Sequence, residues 1–433
     1  MKNELREIMN AALAAAEPGR TIRRSLSVED GCVKAGEETF KPRRVFVLAV
    51  GKAAGPMARA SGEVLGEVLS GGLCVIKEGH EEPTEYFETI VASHPEPDER
   101  SLRAAERVEE FLDGLEGEDL LLVLVSGGAS ALLADAAPGV TLEDLKQLTG
   151  ALLRSGAAIG EINTVRKHVA TLKGGNLVRR AAPAQIVALL LSDVVGDEPS
   201  SIGSGLTAPD PTRLEDAREV LKRYEIEVPQ SVADHLEKGH ENPKPSDAAF
   251  EKLTNIIVGG GRLTATAAAE KARELGYEPL LLSTYVTGEA QAAAGLHAAI
   301  VKEILESGNP AAPPCAVVSG GEATVVVRGE GTGGPNQEFA LALAVELEGV
   351  EGWAALAVDT DGNDGSTDAA GALVSGETTT SIREGGVNST EALAKNDAYH
   401  ALEAGDALVS TGSTGTNVND LRVMLISDEI RSR

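Results

Sequence analysis

The apolar residues of the chain recur in short uninterrupted runs, and each run is followed by a glycine-containing turn and then by a stretch of helical periodicity. Three such runs, Val45–Val50, Leu120–Val125 and Ile186–Leu191, lie in the first half of the chain. This alternation predicts parallel strands joined by helices. The last two runs are apolar throughout, which is typical of strands that are buried on both faces.

The same pattern restarts after Glu237–Ser246, a segment that combines charged residues with proline and therefore marks a candidate domain boundary. A chain of 433 residues also exceeds the size at which a single hydrophobic core keeps growing. We therefore predict an N-terminal domain of residues 1–243 and a C-terminal α/β domain of residues 244–399.

The composition is that of a globular protein, with 42% apolar and 24% charged residues, but the formal net charge is −28. So much negative charge disfavours nucleic acids and anionic membranes as partners. A small anionic ligand would need a local basic region to overcome this field.

Three cysteines, Cys32, Cys74 and Cys315, show neither a CxxC pair nor the spacing of a zinc site. The N-terminus predicts an amphipathic helix without the apolar core of a signal peptide. No apolar run reaches the roughly 20 residues that a membrane span requires. These features predict a cytoplasmic protein with reduced thiols.

Residues that can bind a ligand or take part in catalysis follow the predicted strands. In parallel sheets, ligands bind at the carboxyl ends of the strands. A glycine turn there can bind phosphate through its backbone N–H groups. Lys52 can contact a phosphoryl group or lie on the surface, and Asp193 can hold Mg²⁺, deprotonate a hydroxyl or form a turn. The first two turns contribute Gly51, Lys52, Ser126, Gly127, Gly128 and Ser130.

The segment Ile162–Ser192 contains five basic residues and no acidic one, although the chain as a whole is acidic. If Val165–Lys173 is helical, Arg166 and Lys173 lie on one face and can bind a carboxylate or a phosphate. The alternative is a helix covered with surface ion pairs.

In the second half, Asp359 and Asp361 begin an acidic loop whose oxygen ligands suit either a Mg²⁺–phosphate site or ordinary turns. No GxxxxGK[ST] sequence occurs, and Gly259–Thr264 fails the GxGxxG pattern at its last position, which disfavours a P-loop or dinucleotide enzyme. Helix capping explains Asn336 and Glu338 as well as ligand binding does. The further candidate binding residues are Gly259, Gly260, Asn336, Glu338, Thr416 and Asn417.

Seven segments, in collinear order, together resemble the glycerate 2-kinases of the MOFRL class, some of which were formerly named hydroxypyruvate reductases. The segments are Val50–Ala58, Val125–Leu133, Asn163–Leu177, Leu191–Asp197, Gly333–Leu341, Asp359–Ala372 and Thr414–Leu421.

The resemblance implies transfer of the γ-phosphoryl group from ATP, with Mg²⁺, to the 2-hydroxyl of D-glycerate. It implies a Rossmann-like three-layer domain with a mainly parallel sheet, a smaller α/β domain and an active site in the interdomain cleft, with residues 400–433 returning to the first domain. The family's catalytic lysine matches Lys52. Many members carry arginine where this chain has Pro335, so that role is vacant or passes to Arg166, Lys173 or Arg262.

Our hypothesis is a glycerate 2-kinase in which Lys52, Arg166 and Lys173 neutralise the phosphoryl group and the glycerate carboxylate. Asp193 orients or deprotonates the hydroxyl, and Asp359 and Asp361 hold Mg²⁺. The alternatives are an NAD(P)H-dependent hydroxypyruvate reductase and a binding protein for small sugar acids. The sequence leaves open whether the chain forms a homodimer and which loop binds adenine.

Overall fold

A computed structural model describes residues 1–79 and 85–428, and the chain forms two compact units. Unit 1 consists of Met1–Glu17, Asp193–Gly196 and the chain from Gly259 onward. Unit 2 consists of Pro18–Ser192 and Asp197–Val258.

Strands followed by helices recur along the chain, as the apolar pattern predicts, although runs of consecutive strands or consecutive helices also occur. The strands are β1 Leu26–Glu29, β2 Cys32–Ala35, β3 Glu38–Phe40, β4 Arg44–Val50, β5 Leu69–Lys77, β6 Glu88–Ala92, β7 Asp119–Val125, β8 Gln185–Leu191, β9 Leu253–Gly259, β10 Glu278–Glu289, β11 Cys315–Thr324, β12 Trp353–Asp359, β13 Gly371–Ser375, β14 Leu408–Val409 and β15 Asp420–Ile426. The helices are α1 Lys2–Ala15, α2 Pro18–Ser25, α3 Ala54–Leu65, α4 Glu99–Asp113, α5 Ala129–Leu132, α6 Leu142–Arg154, α7 Ile159–Lys167, α8 Asn176–Ala181, α9 Leu214–Arg223, α10 Gln230–Glu237, α11 Gly261–Glu274, α12 Ala290–Ser307, α13 Pro335–Glu346, α14 Thr378–Glu384, α15 Ser389–Ala394 and α16 Ala398–Ala404.

Unit 2 is built on a six-stranded sheet of order β6-β5-β4-β7-β8-β9. Strand β4 pairs in parallel with β5 and β7, and β7 pairs in parallel with β8. Every residue of β7 is buried, as its apolar run predicts. Because Val50, Val125 and Leu190 lie in register, the turns that follow β4, β7 and β8 leave the same edge of the sheet.

Unit 1 contains a mixed six-stranded sheet of order β10-β11-β15-β12-β13-β14. The central strand β15 is antiparallel to both of its neighbours, so β11 and β12 run in the same direction. Asp420, the first residue of β15, therefore pairs with Gly321 near the end of β11 and with Asp359 at the end of β12. This register brings polar residues to the carboxyl edge of the sheet.

The division of the chain differs from the expected one in three places. Strand β9 is the sixth strand of the unit 2 sheet, so the division falls after Val258 rather than at residue 243. Strand β15 is central to unit 1, so residues 400–428 do not return to the N-terminal domain. Helix α1 buries its apolar face in unit 1, in one cluster with residues of α11 and β15. Local patterns do not reveal these long-range pairings.

No helix in the described ranges is long and apolar enough to cross a bilayer. The three cysteines are free thiols, and Cys74 and Cys315 are buried. Burial raises the pKa of Cys74 to about 12 and that of Cys315 to about 11. Both thiols are therefore protonated and unreactive at neutral pH.

Candidate active site

The turns after β4 and β7 of unit 2 interlock through backbone hydrogen bonds. The Lys52 N–H donates to the Gly127 carbonyl at 2.8 Å, and the Ser126 N–H donates to the Val50 carbonyl at 3.0 Å. The Ser126 hydroxyl oxygen accepts the Ala53 N–H at 3.0 Å, so it serves the scaffold. Gly51 has φ +131°, and a Cβ there would lie 2.2 Å from the Ser126 hydroxyl. Only glycine fits at this crossing.

The side chains of Lys52 and His94 both lie close to Gly128. A Cβ added to Gly128 would lie 3.1 Å from Lys52 Cγ and 3.0 Å from His94 Cδ2. The structure thus brings together Gly51, Lys52 and the Ser126–Gly128 turn, as the strand ends predict. Sequence reasoning missed His94, because it follows β6 without the glycine turn that marks the other strand ends.

Three further candidates, Ser130, Arg166 and Lys173, line one cavity of about 40 Å³ in unit 2. The cavity is completed by apolar side chains such as Leu145 and Leu148 and by the polar residues Asp135 and Thr149. The Ser130 hydroxyl also forms a 2.6 Å hydrogen bond with the Ser204 hydroxyl. Ser130 lies in α5, which directly follows the Ser126–Gly128 turn. The cavity is therefore connected to the turn beside Lys52 by a short stretch of chain.

Arg166 and Lys173 do not share a helical face, contrary to the prediction that holds if Val165–Lys173 is helical, because α7 ends at Lys167. The Lys173 ammonium contacts the Asp135 carboxylate and donates to the Leu133 carbonyl at 2.8 Å. Burial lowers the pKa of Lys173. The negative charge of the Asp135 carboxylate favours the protonated form of Lys173. Because this carboxylate also accepts two backbone N–H groups, we regard the Lys173–Asp135 pair as ionic. Lys173 therefore holds the cavity wall together.

Arg166 differs from the other four basic residues of Ile162–Ser192. Each of those four has a carboxylate partner: Lys167 with Asp210 at 3.7 Å, Lys173 with Asp135, Arg179 with Asp247 at 3.1 Å and Arg180 with Glu109 at 2.9 Å. In the described part of the chain, Arg166 has no such partner. Burial lowers the pKa of its guanidinium, which nevertheless stays protonated. A shielded cation without a counterion at a cavity is suited to bind an anion.

Asp193 belongs to unit 1, where its charge acts on Glu322. Partial shielding of the carboxylate raises the pKa of Glu322, although the residue as a whole is exposed, and the charges of Asp420 and Asp193 raise the pKa further. Asp193 is therefore part of an acidic region of unit 1.

The carboxylates of Asp359, Asp361, Asp364 and Asp420 form the rest of this acidic region. Burial is the largest cause that raises the pKa of Asp359 to about 8, and the charges of Asp361, Asp420 and Asp364 add to it. A hydrogen bond from the Asp361 N–H acts to lower the same pKa. Burial raises the pKa of Asp364 to about 6. Yet no three acidic, histidine or cysteine side chains of the described residues are grouped to hold a metal ion. The carboxylates repel one another without forming a closed cage.

Asn336 and Glu338 lie in the first turn of α13 and have different surroundings. The Asn336 amide donates to Asp420 at 2.7 Å and to Asp364 at 3.1 Å. Asp364 also accepts the backbone N–H groups of Asn336 and Gln337 and so caps the helix. The Asn336 side-chain oxygen is buried without a partner. Glu338, in contrast, accepts from side-chain amides of other segments of unit 1 through both carboxylate oxygens, which favours a structural role.

The remaining candidates lie near the start of α11. A Cβ added to Gly261, the first residue of that helix, would lie 3.6 Å from the Val418 carbonyl, so the loop Thr414–Asn419 packs against the turn Gly259–Gly261. The Thr416 hydroxyl is buried without a partner in the described structure. Asn417 accepts a backbone N–H within its own loop at 3.1 Å, as in an Asx turn.

Comparisons with known proteins agree with this architecture. The DUF4147 model, described as a domain of unknown function, matches residues 4–237, and the MOFRL family model matches residues 315–420. A D-glycerate 2-kinase from Thermotoga maritima is 41% identical over 424 residues, 97% of each chain. The chain belongs to the glycerate 2-kinase family of MOFRL proteins.

The fold of this glycerate 2-kinase family is shared as well. A crystal structure of a glycerate kinase from Thermotoga maritima matches with a TM-score of 0.90 and 40% identity over 98% of this chain and 99% of that one. A relative from Agrobacterium vitis, 42% identical over 98% of this chain and 94% of its own length, is named a hydroxypyruvate reductase. The α/β fold class and the family predicted from the seven segments are confirmed.

Proposed function

We propose that the protein is a D-glycerate 2-kinase, which transfers the γ-phosphoryl group of ATP to the 2-hydroxyl of D-glycerate to give 2-phosphoglycerate and ADP. The observation that carries this proposal is Arg166, a shielded cation without a carboxylate partner among the described residues, which lines a cavity of a chain with net charge −28. The family relationship names the reaction, and Arg166 supplies an attachment point for its anionic substrate.

In unit 2, we assign the glycerate carboxylate to Arg166, whose planar guanidinium can form two parallel hydrogen bonds with it. Lys52 contacts the transferring phosphoryl group from the turn after β4. Phosphoryl transfer depends mainly on positioning and on neutralising charge, and these two cations supply the charge. Asp193, in unit 1, orients the attacking hydroxyl or accepts its proton.

Mg²⁺ fits the acidic region of unit 1, where Asp359 and Asp361 would hold it. Mg²⁺ in nucleotide sites keeps several waters and uses only one or two carboxylates together with phosphate oxygens. A region of mutually repelling carboxylates without a closed cage has this character. When bound, the ion would neutralise phosphate charge. The buried side-chain oxygen of Asn336 would offer a further polar contact to the ion.

For the nucleotide we propose the turn Gly259–Gly260 and the loop that carries Thr416, whose buried hydroxyl has no partner in the described structure. A cytoplasmic location is also part of the proposal, because the chain combines free thiols with a strongly acidic composition.

The test is an assay of the purified protein with ATP, Mg²⁺ and D-glycerate, in which ADP release is followed and the product is identified by NMR. We expect 2-phosphoglycerate, dependence on Mg²⁺ and a strong preference over L-glycerate. Formation of 3-phosphoglycerate would correct the regiochemistry, and absence of ADP formation would overturn the proposal.

The name of the Agrobacterium vitis relative makes a hydroxypyruvate reductase the second candidate. Incubation with NADH or NADPH and hydroxypyruvate separates the two activities. We expect no oxidation of the cofactor, because Gly259–Thr264 departs from the dinucleotide fingerprint. Steady oxidation would favour the reductase.

A further inference from the structure

Unit 1 contains a fully buried arginine in the middle of its sheet. Arg422 lies on the central strand β15, opposite Ser319 of β11 and Ala357 of β12, and none of its surface is exposed. Burial of a charge costs free energy unless it is paired and hydrogen-bonded, and an apolar side chain of similar size fills such a position at lower cost. The position therefore calls for a reason beyond packing.

The contacts of Arg422 are few and one-sided. One terminal nitrogen donates to the carboxylate of Asp420, two residues earlier on the same face of the strand. The guanidinium lies over the Phe339 ring at 5.0 Å. The other terminal nitrogen and Nε have no hydrogen-bond partner within the described residues. The charge of Arg422 is thus directed at a single carboxylate.

The nearby histidine does not compete with Asp420 for the Arg422 guanidinium, because both of its ring nitrogens have other partners. His297 forms hydrogen bonds with the Ala293 carbonyl at 2.7 Å and with the Ser319 hydroxyl at 2.9 Å. Burial, followed by the charge of Arg422, lowers its pKa, so the imidazole stays neutral. The surroundings of Arg422 therefore favour its pairing with Asp420.

Asp420 in turn connects three segments of the acidic region. It accepts the backbone N–H of Ala323 at 2.9 Å and the side-chain amide of Asn336 at 2.7 Å. Asn336 also donates to Asp364, the cap of α13. The chain of contacts from Arg422 thus reaches the end of β11, the first turn of α13 and the acidic loop.

We propose that Arg422 is a positioning residue of this site: it fixes the Asp420 carboxylate, and through it the first turn of α13 and the acidic loop that follows Asp359. Phe339 strengthens the arrangement, because it lies one helical turn after Asn336 and covers the guanidinium. The inference rests on the proposed function only in taking the acidic loop to hold the metal and nucleotide.

Amide hydrogen exchange of the full-length protein tests the inference without reference to any substrate. In Arg422→Met we expect the backbone amides of Ala323, Asn336 and Gln337 to exchange at least tenfold faster, while amides of α12 keep their rates. Arg328→Met, which removes a partly exposed arginine paired with Glu289, is the matched control and leaves these amides unchanged. Unchanged exchange at the three amides, or equal acceleration throughout unit 1, overturns the inference.

Kinetics supply the second arm. We expect Arg422→Met to lower kcat for glycerate phosphorylation about 30-fold with KM for glycerate within twofold of wild type, and Arg422→Lys to recover at least tenfold of the loss. In an Asp420→Asn background, the same Arg422→Met change should cost less than twofold, because its target is gone. A large independent cost in that background overturns the inference. A wild-type protein without kinase activity removes the proposed function, and the exchange result still decides the role of Arg422.

Discussion

Arg166 shows how a basic segment of an acidic chain divides its charges between folding and binding. Four of its five cations pair with carboxylates from other segments, Lys167 and Lys173 in buried pairs and Arg179 and Arg180 nearer the surface, while Arg166 faces a cavity. The composition of the segment predicted a local reversal of charge. Which of its cations is left for a ligand depends on Asp135, Asp210 and other distant acids, so the sequence alone could not identify it.

Arg166→Met should raise KM for glycerate or lower kcat/KM by at least about 100-fold, because a charge-assisted contact worth about 3 kcal/mol is lost. Thermal unfolding should stay the same or shift upward, because an uncompensated shielded charge is removed. Steady-state kinetics and calorimetry measure both effects. Arg179→Met, which breaks the more exposed pair with Asp247, serves as the control and should keep wild-type kinetics.

The stability of unit 2 should depend on the ionisation of Glu241. Burial acts to raise its pKa, but hydrogen bonds from Lys244, the Leu214 N–H and His168 outweigh this and lower the pKa from 4.5 to about 2. A depressed pKa stabilises the folded state above pH 4.5, and this stabilisation is lost as the pH falls towards 2.

Urea unfolding of wild type and Glu241→Gln between pH 7 and pH 2 tests this dependence. We expect the variant to be less stable at pH 7 and the difference to vanish as the pH falls through the window from 4.5 to 2. A difference that stays constant across that window would show that the carboxylate charge is not responsible.

At the scale of elements, the turn after β7 is the feature that the sequence located best. The apolar run ends at Val125, and Ser126–Ser130 follows at the sheet edge as predicted. The condition that Val165–Lys173 is helical is met only as far as Lys167, because Ala170 forms a bridge with Ala136 and the Asp135 carboxylate accepts the backbone N–H groups of Leu172 and Lys173. Tertiary hydrogen bonds there override a helical pattern.

Gly128→Ala should lower kcat roughly tenfold, because its new methyl group would push against Lys52 and His94. The matched control is Gly139→Ala. Gly139 has φ +91°, close to the +86° of Gly128, but no atom outside its own chain neighbours would lie within 4 Å of a Cβ added there. Both variants should therefore lose about 1–2 kcal/mol of stability from backbone strain, while only the first loses activity. Equal activity of the two variants would remove Gly128 from the positioning of Lys52.

At the scale of the whole molecule, length and repeated apolar pattern predicted two α/β domains, but the segments assigned to them were only partly right. Residues 1–17 and 400–428 belong to unit 1, and residues 244–258 belong to unit 2. An amphipathic helix such as α1 shows that one face will be buried but not against which surface. Likewise, the order of strands in a sheet depends on pairings between segments far apart in sequence.

The assignment of α1 to unit 1 predicts a selective effect of Ile8→Ala. Ile8 is fully buried in the core of unit 1, and such a truncation costs about 2–5 kcal/mol. The chain has a single tryptophan, Trp353, which is buried in the same unit. Denaturant unfolding followed by Trp353 fluorescence should therefore shift to lower denaturant concentration.

The control is Val220→Ala in unit 2, where Val220 of α9 is buried in a cluster with residues of α7. This variant should shift the part of the circular dichroism transition that belongs to unit 2 and leave the Trp353 signal in place. Equal shifts of both probes after either substitution would contradict the assignment.

The central position of β15 has a consequence for biosynthesis. As the chain leaves the ribosome, every segment of unit 2 emerges before Gly259, but the sheet of unit 1 lacks its middle strand until Ile426 has been translated. Until then β11 and β12 have no partner between them, and the apolar face of α1, which is made before any segment of unit 2, has no complete surface to cover. The nascent protein thus carries one unit whose segments have all emerged and a second unit that can close only after β15 has been translated, which makes its unpaired strands the natural clients of chaperones during translation.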